Sequence, residues 1–205
     1  MIQIQGVWWP DDVAEKWRHS LDHLGSLDVG LKFCTTRRTA VQAGGNIGLW
    51  PRRLAETFAR VYTFEPDAIS RECLQRNVPA SVVVSPAALG AAHGPCRVKH
   101  KSLGSHRIST TDEGQSAYMT TVDNMDLFDV DFLQLDIEGY ECHALQGAVE
   151  TIRRSHPVIQ VELREFTKHF GKTDDDVRRL LQDLGYRQVR SAPGSDYVFV
   201  HKGAV

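Results

Sequence analysis

Cysteine is scarce in this chain, and the four present are scattered. Cys34, Cys73, Cys96 and Cys142 form no Cys-x-x-Cys pair. That disfavours a structural zinc site and a disulfide framework, and it makes a reducing cytosol the expected compartment. Long apolar runs are also lacking: none approaches the length that spans a bilayer. Met1 to Pro10 has neither the cationic start nor the apolar stretch of a secretory signal. The expectation is a cytoplasmic protein with no membrane partner. Charge of one sign is not in excess either, since 24 Lys+Arg stand against 26 Asp+Glu for a net charge of -2. This argues against a nucleic-acid partner, although a local basic patch remains compatible with it. Repeats and low-complexity tracts are absent. What remains is an ordinary globular balance over 205 residues, enough for one domain and a short appendage.

The segment Asp11 to Leu24 spaces Val13, Trp17, Leu21 and Leu24 as one face of an amphipathic helix. Gly25 and Gly30 end that pattern, which gives an N-terminal helical appendage over residues 1–38 ahead of a main domain over 39–205. From Thr39 onward strand and helix signals alternate. Strands are expected at Thr39–Ala43, Val61–Phe64, Ser81–Val84, Phe132–Ile137 and Val158–Leu163. Helices are expected at Leu49–Ala59, Ala68–Arg76, Tyr140–Arg153 and Thr173–Leu184, the last with Thr173 as its N-cap. Leu89 to Thr121 reads as a loop-rich excursion with one or two short strands, one of them Cys96 to His100. Tyr186 to Arg190 and Tyr197 to His201, flanking Pro193-Gly194, read as a closing hairpin. Alternating β-α units imply an α/β fold with a mostly parallel sheet, helices on both faces and one antiparallel strand near the end. Ligands of such sheets bind at the carboxyl ends of the strands.

Two features sit at those ends. The first strand runs into Gln42-Ala43-Gly44-Gly45-Asn46-Ile47-Gly48. Its glycines allow a tight turn and close approach to a ligand, and Asn46 tolerates a left-handed backbone. Glu65-Pro66 follows the second strand, where an acidic side chain can accept hydrogen bonds from two ribose hydroxyls. The pair suits either a dinucleotide or S-adenosylmethionine. The dinucleotide spacing Gly-x-Gly-x-x-Gly would need a glycine where this chain has Ala43. The closing hairpin also favours the methyl donor. After the fourth strand, Asp136 and Glu138 lie at i and i+2 on an extended chain and point the same way. They could hold an amine, orient a hydroxyl or act as an acid/base pair.

In its order of motifs the chain resembles the FkbM family of S-adenosylmethionine-dependent methyltransferases. The matching pieces are Ala43 to Gly48, Phe64-Glu65-Pro66, Ala88-Leu89-Gly90, Thr121-Val122-Asp123-Asn124, Leu135 to Glu141, Leu145-Gln146-Gly147-Ala148 and Pro157 to Leu163. They span roughly residues 39 to 165. The resemblance implies a class I methyltransferase (Rossmann-like) fold: a seven-stranded, mostly parallel sheet with a C-terminal antiparallel hairpin. It also implies S-adenosylmethionine as cofactor and, usually, methyl transfer to oxygen. By the same resemblance, Gln42 and Gly44, Gly45, Asn46 and Gly48 line the methionine part of the cofactor. Glu65, with Pro66, holds the ribose. Ser85, Ala87 and Ala88 lie near the adenine. Asp136 faces the cofactor's amino group or the acceptor, and Glu138 and Glu162 flank the acceptor. The family commonly has an aspartate where this chain has Gln42, so one charge toward the sulfonium and ammonium is lost here.

The catalytic candidates are thus Asp136 and Glu138, then Glu162, with His143 behind them. The expected activity is O-methylation of a hydroxyl on a small-molecule or glycan acceptor. A non-catalytic nucleotide-binding or assembly module is the rival from another class, and an NAD(P)-dependent oxidoreductase the rival enzyme. No metal is expected. His19 and His23 lack a third ligand, and Asp174 to Asp176 read as acidic residues favouring a helix start. Trp8 and Trp9 read as packing residues. The basic stretch Arg97, Lys99, His100, Lys101, His106 and Arg107 reads as a solvated loop, its functional alternative being a contact for an anionic acceptor. Oligomeric state is left open by the sequence.

Overall fold

The computed structural model describes residues 1–11, 24–102, 105–192 and 195–203. The expected helix over Asp11 to Leu24, with His19 and His23, falls almost wholly outside these residues, as does the Pro193-Gly194 turn. Before the main domain the described chain forms a small hairpin, β1 (Ile2–Ile4) and β2 (Val7–Trp9), then a helix, α1 (Leu24–Leu31). The sequence reading anticipated no hairpin. It also ended the helical pattern at Gly25 and Gly30, whereas α1 contains both. Gly30 has a packing reason: a Cβ there would meet Gln160 Oε1 at 2.4 Å and the Phe132 ring at 2.9 Å. The glycine therefore lets the helix lie close against the sheet.

The main sheet has seven strands. They are β3 (Thr39–Ala43), β4 (Arg60–Phe64), β5 (Val82–Ser85), β10 (Val130–Leu135), β11 (Val158–Glu162), β12 (Tyr186–Ala192) and β13 (Asp196–His201). Their order is β12-β13-β11-β10-β3-β4-β5. From β11 to β5 all neighbours are parallel, and β13 runs antiparallel to both β11 and β12. Strands β3, β10 and β11 are buried along their whole length, as strands covered on both faces must be. On one face, Leu27, Leu31, Leu54 and Phe58 pack on Phe132, Val158 and Val198. Leu54 comes from α2 (Leu49–Ala55) and Phe58 from the turn after it. On the other, Leu133, Leu135 and Ile159 meet α4 (Glu141–Gln146), α5 (Val149–Ser155) and α6 (Asp174–Asp183). Thr173 caps α6 in a reciprocal capping box with Asp176. This matches the expected N-cap and explains the acidic run.

Two expectations need correction. The helix expected over Tyr140–Arg153 is two helices, because a Cβ on Gly147 would meet the Gly90 carbonyl oxygen at 2.1 Å. The chain bends there, and Asp123 caps the second helix from outside, accepting from Thr151 N at 2.7 Å and Glu150 N at 3.1 Å. The excursion after Leu89 is not loop-rich. With the preceding β6 (Ala88–Leu89) it forms a second sheet, ordered β6-β9-β7-β8, in which β7 (Gly94–Ser102) and β8 (Ser105–Ile108) make a hairpin and β9 (Gln115–Thr120) joins them. Its polar, glycine-broken sequence hid the strands because one face meets water.

Candidate active site

The chain leaves β3 for β4 and β5 in one direction, then returns to lay β10 and β11 on the other side. The switch falls between β3 and β10, where the crevice of an open parallel sheet opens. A cleft of about 450 Å³ lies there, lined from both sides by the ends of these strands.

Gly44 makes the crossing possible. Its φ is +85°, and a Cβ would meet the Asp136 carbonyl oxygen at 1.8 Å. Asn46 is also left-handed, at φ 46°. Its backbone N–H donates to Glu65 Oε2 at 2.7 Å, while the other carboxylate oxygen accepts from Asp67 N at 2.8 Å. Glu65 is 3% exposed, and burial pushes its carboxyl up to about 7 against the pull of those two backbone donors. Each oxygen keeps a lone pair for a further donor, as a ribose diol would supply. Among the described residues, Asn46 Oδ1 is buried without a partner, an acceptor that still lacks a donor. Gln42 lines the cleft, but its amide is already engaged: Nε2 donates to the Ala43 carbonyl at 3.1 Å, and Oε1 accepts from Thr63 Oγ1.

Across the cleft, Asp136 follows β10 and Glu162 ends β11. Glu162 is 7% exposed. Burial, then the Asp136 charge and a hydrogen bond shared with Asp136, drive the Glu162 carboxyl far above the usual range. Glu162 thus shares a hydrogen bond with Asp136. Arg164 Nη2 lies 2.7 Å from Glu162 Oε1. Glu138 lines the same end with a left-handed backbone, φ 58°, and Gly139 follows at +106° against the Phe166 carbonyl. This exit turn is held from below by the buried Glu141, whose Oε1 accepts from Ile137 N at 3.0 Å and Gly139 N at 3.1 Å. Burial raises Glu141 to about 7.

Of the residues expected from sequence, Gln42, Gly44, Gly45, Asn46, Glu65, Pro66, Ala88, Asp136, Glu138 and Glu162 all line this one cleft. Gly48, Ser85 and Ala87 do not. Gly48 is the left-handed N-cap of α2, packed on Leu74, and the Ser85 hydroxyl turns back to accept from Ala87 N at 3.2 Å. His143 stacks on Tyr140 with ring centroids 4.4 Å apart, and burial first, then Lys172, lowers its pKa. The sequence reading missed Asp196 and Arg164, and took His106 and Arg107 as part of a solvated loop, whereas they line the cleft. Asp196 opens an antiparallel strand, so the start of β13 reaches the edge where the parallel strands end. That geometry was available once a hairpin was expected. His106 reaches the cleft from β8, with Nε2 3.8 Å from Asp67 Oδ1, and Ile108 on β8 and Val98 on its partner β7 line it as well. The second sheet therefore covers the Glu65 end of the cleft. Among the described residues, no cluster could hold a metal.

A doubly wound sheet with a glycine turn at its switch point, an acidic ribose-type residue on the next strand and a closing antiparallel hairpin is the class I methyltransferase architecture. The profile of the methyltransferase FkbM domain matches residues 42–188, most of the chain, and the protein belongs to that family. Methyltransferases of this class take S-adenosylmethionine as methyl donor, and the donors and acceptors of the cleft fit that compound. Among solved structures, the chain is similar to a methyltransferase FkbM from Methylobacillus flagellatus KT (18% identity, TM-score 0.56). The match covers 80% of this chain and 44% of that one, so this chain spans under half the length of that protein. It is also similar to magnesium protoporphyrin IX methyltransferase from Synechocystis PCC 6803, solved with S-adenosylmethionine bound (15% identity, TM-score 0.53, covering 96% and 87%). A third likeness is to the N-methyltransferase NodS from Bradyrhizobium japonicum WM9 (11% identity, TM-score 0.51, covering 93% and 96%). No curated protein matches the sequence. Among the described residues, no helix is long and apolar enough to cross a membrane.

Proposed function

We propose that the protein methylates a hydroxyl of a sugar or another small polar metabolite. The observation that carries this reading is the hydrogen-bonded Asp136–Glu162 pair at the cleft edge, one strand from the glycine turn. The cofactor supplies an electrophilic methyl group on a sulfonium. The chain must hold that compound, align an acceptor and take up the acceptor's proton. In this reading Gly44 to Asn46 seat the methionine part and Glu65 accepts from the ribose hydroxyls. Ala88 borders the base, and the β7–β8 hairpin excludes water from above. Glu162, protonated, donates to Asp136 and leaves that carboxylate as the acceptor for the hydroxyl proton. Glu138 orients the same hydroxyl, and Arg164 keeps Glu162 in register.

Transfer of labelled methyl from S-adenosylmethionine to a panel of sugars, polyols and amines, with the linkage read by mass spectrometry and NMR, tests the proposal. O-methyl product is expected, and Asp136→Asn should lose about 10²–10⁴-fold in turnover. Product methylated only on nitrogen or carbon would overturn the oxygen assignment. A binding module without turnover is the second reading. It is favoured by Gln42, whose amide is closed on Thr63 and Ala43 where the resembled family commonly offers a free carboxylate. Cofactor binding with no product from any acceptor would select it.

A further inference from the structure

One end of the cleft carries more carboxyl groups than a hydroxyl acceptor requires. Asp136, Glu138, Glu162 and Asp196 all line it. Three of them form a row across neighbouring strands: Glu162 and Asp196 are direct partners in the β11–β13 ladder, and Asp136 follows Leu135, the partner of Val161. Arg164 faces the row: it pairs with Glu162 at 2.7 Å, and its charge also pulls the Asp196 carboxyl down, though less than burial and Asp136 push it up. The other cationic side chains lining the cleft, His106 and Arg107, come from β8, where His106 sits beside Asp67 at the opposite, Glu65 end.

Asp196 stands out in this row. It is 4% exposed, and its Oδ1 has no hydrogen-bond partner among the described residues. Ser26 and Gln160 hydrogen-bond to the carboxyl, while burial first and then the Asp136 charge push it up to about 6. At neutral pH it is still mainly ionised. A buried carboxylate oxygen without a donor is costly, and more so beside other carboxylates. The missing partner must bring hydrogens and positive charge. An ammonium brings three donors on one compact charge, enough to reach neighbouring carboxyl oxygens together.

The cofactor's own ammonium is badly placed for this. With the ribose at Glu65 on β4, its methionine part lies at β3 and β10. Asp196 on β13 is two strands from β10 and three from β3, roughly 10–14 Å at about 4.8 Å per strand. We infer that the acceptor itself carries an amine, bound as an ammonium at Asp196, which makes it an amino sugar or amino alcohol whose neighbouring hydroxyl is presented to Asp136. This rests on the methyltransferase reading of the cleft and adds the charge of the acceptor to it.

The test is thermal unfolding of the full chain. A first scan with and without S-adenosylhomocysteine checks the underlying reading: a rise shows a cofactor site, and no rise removes that reading before any acceptor is added. To the S-adenosylhomocysteine-saturated protein, ethanolamine, glucosamine and galactosamine are then added at neutral pH, each against its N-acetyl derivative. At least one free amine is expected to raise the melting temperature saturably by about 2–4 °C, and its N-acetyl form not to. The shift should vanish in Asp196→Asn while the S-adenosylhomocysteine shift survives. The inference is overturned if no free amine acts, if the acetylated forms act equally, or if the amine shift persists in Asp196→Asn. Loss of the S-adenosylhomocysteine shift in that variant would also overturn it, by assigning Asp196 to the cofactor.

Discussion

At the residue scale the site depends on a few positions where only one side chain suffices. Gly44 is one. Alanine there must adopt a left-handed backbone, which costs about 1–2 kcal/mol, and must also clear the Asp136 carbonyl that its Cβ would overlap. Gly44→Ala is expected to lower stability in denaturant unfolding by at least that amount and to abolish cofactor binding. Glu65 is another. Burial pushes its carboxyl up to about 7, and in the proposed role ribose hydroxyls would donate to the ionised form. Cofactor affinity measured by calorimetry should therefore rise with pH between about pH 6 and 8 and flatten above. These residues were legible in the sequence because glycines and an acidic residue at strand ends have few other uses there. Asp196 and Arg164 were not. A single Asp or Arg near a turn is common, and only the antiparallel return of β13 brings Asp196 to the same edge as Glu162.

At the element scale, the main strands and helices declared themselves through periodicity, with their ends shifted by a few residues. The failures have physical causes. Helix α1 runs through Gly30 because close packing against Phe132 and Gln160 there outweighs its poor helix propensity. The second sheet was hidden because its strands are polar and glycine-flanked. The N-terminal hairpin was hidden because three-residue strands carry no period. That hairpin nonetheless bears on the site. Asn77, on α3 (Ala68–Asn77), accepts from Trp8 N at 2.7 Å and donates to the Trp8 carbonyl at 2.8 Å and the Ile47 carbonyl at 2.7 Å. It fastens β2 to the glycine turn, with Trp9 fully buried below as packing predicted. Asn77→Ala leaves these backbone groups unpaired. It should cost about 1–3 kcal/mol in unfolding experiments and weaken cofactor binding, with Asn77→Asp restoring less than half because it cannot donate.

For the whole molecule, burial of acidic groups sets the pH response. Glu65 and Glu141 are raised to about 7, Asp196 to about 6, and Glu162 further. Each folded value exceeds its unfolded one, so the folded state binds more protons in between. Stability is then fully present below the unfolded values near 4 and is lost as pH rises through 6 to 7. The ligand-free protein is expected to melt higher at about pH 5.5 than at about pH 8. Saturating S-adenosylhomocysteine should narrow the gap, because it favours the ionised Glu65. A melting temperature that climbs with pH would contradict the assignment of these buried carboxyls.

The most direct measurement is calorimetric titration of S-adenosylhomocysteine into the wild-type chain and into Glu65→Gln. Glutamine keeps the shape but sets an amide N–H against the backbone N–H of Asn46 or Asp67 and removes the charge that the ribose hydroxyls meet. One site per chain is expected, weakened about 10–100-fold by the substitution. Binding that is absent from the wild type, or equal in the two proteins, would contradict the account.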